Sequence, residues 1–119
     1  MTLKVKKMIP KGLMAASTRP IILSILKGGE DYGYQIIQRV KDMSGGTLEW
    51  SDGMLYPVLQ RLEKENLITS RWVVSEEGRP RKYYKITASG REALTEQIAQ
   101  WRNMIKALNL ILRPSPEME

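Results

Sequence analysis

The sequence predicts a mainly α-helical chain with one small β-hairpin: three short helices, the hairpin, and then a single long helix. Three observations carry this reading. Apolar residues recur at helical spacing in separate stretches, with glycine and asparagine breaks between them. Two runs rich in β-branched and aromatic residues flank a cluster of turn residues at Ser75 to Pro80. A last stretch keeps spacings of four, three, four, three, four from Leu94 to Leu112 before two prolines end it.

Residues 1–12 carry Lys4, Lys6, Lys7 and Lys11 with Pro10 and Gly12, and are expected to form a mobile basic arm. A helix is expected from Pro20, where proline fits the first turn before Ile21, Ile22, Leu23, Ile25 and Leu26, and Gly28-Gly29 ends it. Asp31 is expected to cap a second helix through Tyr34, Ile37 and Val40, broken by Ser44-Gly45-Gly46. A third helix follows Ser51, with Leu55, Val58, Leu59 and Leu62 on one side and a stop at Asn66. Because proline inside a helix removes a hydrogen bond, this helix is expected to start near Gly53 or Met54, which keeps Pro57 in or near the first turn.

Leu67–Val74 and Lys82–Ile86 then read as the two strands of a hairpin. Thr87 caps the last helix, over residues 88–112, and residues 113–119 form a tail. This order of elements is that of a winged helix-turn-helix domain, over residues 13–87, followed by a helix for dimerisation. In that last helix Leu94, Ile98, Trp101, Ile105, Leu108 and Leu112 form a seam suited to burial against a second helix, which predicts a homodimer.

Composition narrows the function. The 119 residues are 42% hydrophobic, enough for one compact domain with an appendage. Cysteine and histidine are absent, which excludes disulfide frameworks, Cys/His zinc sites, histidine bases and thiol nucleophiles. The remaining acids, hydroxyls and amines show no catalytic arrangement, so no enzyme, metal or cofactor is expected. A net charge of +6 favours a polyanionic partner. No apolar run approaches the roughly 20 residues of a membrane span, so no membrane is expected and the location is read as cytoplasmic.

On the third helix Gly53, Tyr56, Pro57, Gln60 and Lys64 lie opposite the leucines, beside Ser51 at its start. A small residue permits close approach, the glutamine amide can pair with adenine in a major groove, and lysine suits phosphate. The hairpin adds Arg71, Arg79, Arg81, Lys82 and Lys85, against Glu76 and Glu77 at its tip. The candidate DNA-contacting set is therefore Ser51, Gly53, Tyr56, Pro57, Gln60, Lys64, Arg79, Arg81 and Lys82. An RNA-binding or protein-interaction winged helix is the alternative, but a symmetric dimer suits a double-stranded, inverted-repeat operator better.

The segments Asp31-Tyr32-Gly33-Tyr34, Gly53 to Glu63, and Gly78 to Tyr84 with Ile86-Thr87 and Gly90, taken in this order, resemble the PadR family of bacterial transcriptional regulators. The resemblance covers about residues 13 to 112. It implies a third helix in the major groove, with Tyr56 and Gln60 at the bases, and a wing with Arg79 and Arg81 at phosphates. It also implies a C-terminal dimerisation helix and a repressor that leaves its operator when a small aromatic compound binds. Two features depart from the family pattern: Pro20, which implies a shorter or kinked first helix, and the Glu76-Glu77 pair at the wing tip.

Trp101 stands in the seam where leucine would pack more regularly. Across a two-fold axis, two such rings could leave a flat apolar slot lined also by Ile98, Ala93 or Met104 and suited to a planar aromatic molecule. The resemblance to multidrug-responsive members of the family implies the same. Filling of the dimer core by Trp101 is the competing reading.

Overall fold

The computed structural model describes residues 9–113. In chain order it contains α1 (Lys11–Lys27), β1 (Asp31–Tyr32), α2 (Gly33–Met43), α3 (Asp52–Lys64), β2 (Ile68–Val74), β3 (Pro80–Ile86) and α4 (Ala88–Leu112). The three strands form one antiparallel sheet in the order β1-β3-β2, with Ile68 opposite Ile86 and Val74 opposite Pro80. The fold is thus α+β, a helical layer with a small sheet, in the winged-helix arrangement.

Four local expectations are corrected. The first helix begins at Lys11 rather than Pro20, and it takes in Lys11 and Gly12 of the expected arm; that arm through Met8 lies outside the described residues. Pro20 sits inside α1, where it leaves the Ala16 carbonyl without its usual helical donor. Burial of Met14, Thr18 and Ile22 along one side holds the helix together across it. In the preceding turn, the hydroxyls of Ser17 and Thr18 both donate to the Met14 carbonyl, at 2.9 Å each.

The second correction concerns Asp31, which does not cap α2. Asp31 and Tyr32 instead form β1, paired with Tyr84 and Tyr83, and α2 starts at Gly33. The Asp31 carboxylate accepts from the Tyr32 amide at 3.0 Å and from Arg39 at 3.3 Å. Third, α3 starts at Asp52, one residue before the expected range. Ser51 caps it through a bond from the Met54 amide at 3.3 Å, which moves Pro57 into the second turn. Fourth, β3 begins at Pro80, because the turn closes earlier: Gly78 adopts φ 81°, its amide donates to the Ser75 carbonyl, and the Ser75 amide donates to the Arg79 carbonyl.

The core lies where α1, α2, α3 and the sheet meet. Ile22, Leu23 and Leu26 of α1, Ile36 of α2, and Leu55, Leu59 and Leu62 of α3 are fully buried there with Ile68 of β2. Each such side chain contributes about 1.5–3 kcal/mol by leaving water. An ion pair from Arg19 to Glu65, with both guanidinium nitrogens on the carboxylate at 2.8 and 3.0 Å, ties α1 to the end of α3.

One junction joins α3, the hairpin and α4. Asn66 turns the chain out of α3 at φ 61°, a left-handed conformation that asparagine tolerates. The Thr87 hydroxyl donates to the Asn66 carbonyl at 2.7 Å and accepts from the Gly90 amide at 3.0 Å, while the Thr87 amide donates to the Leu67 carbonyl at 3.0 Å. Gly90 is needed for this approach, since a Cβ there would collide with the Leu67 carbonyl oxygen and lie 2.7 Å from Ile86 Cγ1.

Gly90→Ala is therefore expected to lower folding stability by about 3 kcal/mol, the upper part of the range for forced overpacking. Urea unfolding followed by circular dichroism measures it. A loss below about 0.5 kcal/mol would mean that the junction relaxes around the methyl group.

Candidate nucleic-acid interface

Helix α3 buries Leu55, Leu59 and Leu62 at spacings that leave Tyr56, Gln60 and the first turn on its outer side. The hairpin rises beside that side. Between them, and bounded by the start of α2, lies a concavity of about 620 Å³. Its lining brings together Tyr56 and Gln60 of α3 with Arg79, Arg81 and Lys82 of the hairpin, and it contains no carboxylate.

Ser51, Gly53, Pro57 and Lys64 are also solvent-exposed on α3 or at its start, but outside this lining. Ser51 is engaged as the helix cap. Gly53 supplies an open approach, since a Cβ there would meet nothing nearer than the Ser51 hydroxyl at 3.9 Å. Pro57, which has no N–H, leaves the Gly53 carbonyl without its usual helical donor.

The structure adds Tyr32, Gly33, Tyr34, Trp72 and Tyr84 to the lining, none of them in the candidate set read from the sequence. Tyr56 lies over the start of α2, and a Cβ at Gly33 would fall 2.8 Å from its Cζ, so glycine at that position is what lets the ring settle there. The ring remains 40% exposed. Trp72 and Tyr34 stand out into solvent, at 67% and 62% exposure, among the cations. The Arg81 guanidinium lies 4.5 Å from the centre of the Tyr32 ring, and Tyr32 meets Tyr83 edge to face at 5.3 Å. The sequence signal for these positions was the Tyr32-Gly33-Tyr34 motif, but β1 has only two residues and is too short to show a strand period.

The hairpin cations fall into two groups. Arg71 extends from β2 to Glu30, which it binds through two nitrogens, and this holds the Glu30 carboxyl below the usual carboxylate range. It lines a separate polar groove with Lys85. Lys82 lies between the rings of Trp72 and Tyr84, at 5.9 and 5.8 Å, and 3.9 Å from Glu63 of α3. Arg79 and Arg81 have no ion pair among the described contacts. Glu76 and Glu77 are exposed in the turn and take no part in the lining.

At the far end of the molecule, α4 leaves the core part-way along. Leu94 is buried, and Ile98 and Trp101 are partly covered, whereas Ile105, Leu108 and Leu112 are 51%, 45% and 72% exposed. Trp101 and Ile98 line an apolar groove of about 270 Å³ with Ser17, Pro20 and Ile21 of α1. Ala93 packs at the edge of the core, and Met104 is exposed one turn beyond Trp101, so neither lines this groove. No helix among the described residues is long and apolar enough to cross a membrane.

Comparison with known proteins gives these features a context. Residues 22–96 match the model of the transcriptional regulator PadR-like family. A solved transcriptional regulator from Clostridium thermocellum superposes with a TM-score of 0.80 at 28% identity, covering 88% of this chain and 99% of that one. A PadR family transcription regulator from Clostridium difficile gives 0.70 at 33% identity, over 81% and 98%. The transcriptional regulator YqjI of Escherichia coli is 33% identical over 106 residues, which are 85% of this chain and 49% of that protein, so the chain spans about half of that relative.

Burial pushes the Tyr84 phenol up from 10.0 to about 12, with Tyr56 and Glu63 adding to the effect. Its neutral form is thus favoured in the folded state. The stability this gives is fully present below pH 10.0, the ordinary value, and is lost as pH rises toward about 12. Tyr84→Phe should flatten the decline of stability across that interval, measured by urea unfolding at stepped pH. An equally steep decline in the variant would place the alkaline sensitivity elsewhere.

Proposed function

The chain belongs to the PadR-like family of transcriptional regulators, and from that membership we propose a DNA-binding homodimer acting as a ligand-responsive repressor. PadR-like regulators bind DNA, and the family comprises regulators rather than enzymes. The observation that carries the reading for this chain is a concavity, lined by no carboxylate, in which Tyr56 and Gln60 of α3 meet Arg79 and Arg81 of the hairpin.

In this proposal α3 enters the major groove. Gln60 reads a base edge through its amide, Tyr56 contributes an aromatic edge and a hydroxyl, and Gly53 and Pro57 allow close approach near the bases. Ser51 and Lys64 at the two ends of α3, with Arg79 and Arg81 on the wing, meet phosphates. Tyr32 sets the direction of Arg81 by holding its guanidinium over a ring face. Lys82 is the exception within the candidate set, because a carboxylate already stands beside it. Two copies related by a two-fold axis would present two such helices to an inverted repeat.

Dimerisation is assigned to α4. Beyond Trp101 its apolar seam residues Ile105, Leu108 and Leu112 are 51%, 45% and 72% exposed, and an exposed stripe of that kind is the usual mark of an interaction face. Leu94 and Ile98 anchor the helix to its own domain, while Ile105, Leu108 and Leu112 reach the second copy. The effector proposal places a planar aromatic compound against Trp101 and Ile98, with Met104 and Ala93 of either copy at the margin. Such a compound would change DNA affinity only through a difference in its affinity for the bound and released arrangements.

Arg81→Ala should weaken selected and scrambled duplexes alike and lower the slope of log affinity against log salt by about 0.9, one phosphate's worth. Fluorescence anisotropy at several salt concentrations reads both. Weakening confined to the selected duplex would instead make Arg81 a base reader.

Replacing Ile105 and Leu108 together with Glu should convert the dimer to monomers in sedimentation. The same variant should lose quenching of Trp101 by planar phenolic aromatics, because the slot needs both copies. A persisting dimer would move the interface elsewhere.

A further inference from the structure

The charge arrangement around Glu63 has a consequence for overall DNA affinity that rests on the DNA-binding reading. Glu63 is the one acidic side chain of α3 that reaches the hairpin: its carboxylate accepts from the Ser70 hydroxyl of β2, and Lys82 Nζ of β3 lies 3.9 Å away. Strand alternation puts Ser70, Trp72, Lys82 and Tyr84 on one face of the sheet, the face turned toward α3. Lys82 is therefore surrounded by two aromatic rings and one carboxylate, on a wing whose other site cations, Arg79 and Arg81, have no carboxylate partner among the described contacts.

A pair at 3.9 Å with both side chains over one-third exposed contributes little to folding. Its effect on a polyanionic partner is larger, because the carboxylate partly offsets the charge of Lys82 at the place where phosphates would approach. Non-specific DNA affinity comes almost wholly from such phosphate contacts, whereas sequence-specific affinity also draws on base contacts from α3. A carboxylate fixed between α3 and the wing thus lowers the affinity for every duplex alike, by withholding a phosphate contact that carries no sequence information.

We propose that Glu63 sets the overall DNA affinity: bound to Ser70 and paired with Lys82, it withholds one wing cation from the DNA backbone and so weakens binding to any duplex. Glu63 does this without touching DNA. The role is distinct from simple bracing of the wing, since a brace would raise affinity for DNA while this arrangement lowers it.

The experiment compares wild type, Glu63→Gln, and Glu63→Gln combined with Lys82→Gln. The probes are a short duplex selected by the wild-type protein from a randomised pool and a scrambled duplex of the same length. Glutamine keeps an oxygen to accept from Ser70, and thermal melting confirms that each variant is folded. Glu63→Gln should bind both the selected and the scrambled duplex on the order of fivefold more tightly. Its salt dependence should steepen by about 0.9 for both duplexes, and the ratio of selected to scrambled affinity should stay unchanged.

Adding Lys82→Gln should abolish both gains. Equal weakening of both duplexes by Glu63→Gln at unchanged slope would mean a structural brace and overturn the proposal. So would a gain that survives Lys82→Gln. Failure of the wild type to bind either duplex would overturn the DNA-binding reading itself, an outcome separate from an unaltered slope in Glu63→Gln.

Discussion

The junction around Thr87 sets the relations among the functional parts. Its hydroxyl and amide, with the Gly90 amide, join the Asn66-Leu67 turn to the first turn of α4 through three hydrogen bonds of 2.7 to 3.0 Å. The end of α3, the base of the hairpin and the origin of α4 are thereby fixed at one point. A wing hinged only at its strands could swing relative to α3. Closure at the base, with Ser70 bound to Glu63 further along, leaves the hairpin a defined direction over the outer face of α3. Gly90 matters here for its size, since the carbonyl of Leu67 occupies the space a side chain would need.

That direction determines what the net charge of +6 can do. Charge alone favours any polyanion, but the acids decide which cations are free. Glu30 takes Arg71, Glu65 takes Arg19, Asp31 takes Arg39, and Glu63 stands beside Lys82. Pairs with this much solvent around them contribute little to folding, so they matter more for placing charge than for holding the fold. What remains on the concave side is a pair of arginines on the wing, one of them oriented by an aromatic ring, next to the amide of Gln60.

At the other end, α4 divides into two halves with different physical duties. Its first half completes the core through Leu94 and packs on α1. Its second half carries Ile105, Leu108, Leu110, Ile111 and Leu112 into solvent, more apolar surface than a lone helix leaves uncovered without cause. Trp101 stands at the boundary, against Pro20 and Ile21 of α1. Because Pro20 removes a helical hydrogen bond from the segment that faces Trp101, the groove between α1 and α4 lies where α1 lacks one of its internal ties.

The sequence by itself determined the order of the four helices and the hairpin, the outward stripe of α3, the turn at Gly78 and the bounds of α4, because each rests on signals acting within a few residues. Helical periodicity placed Leu55, Leu59 and Leu62 inward, and Thr87 marked a helix start through its own side chain. Of the candidate site, Tyr56, Gln60, Arg79, Arg81 and Lys82 were legible as residue types in suitable elements, and the structure adds that all five border one concavity. Tertiary structure alone decided the rest. Asp31 joined a strand because β3 was there to pair with it, and α1 ran through Pro20 because the core covers one side of that helix. The pairings of Arg71 with Glu30 and Arg19 with Glu65 span 41 and 46 residues, and no local pattern encodes which carboxylate the folded chain will bring to a given cation.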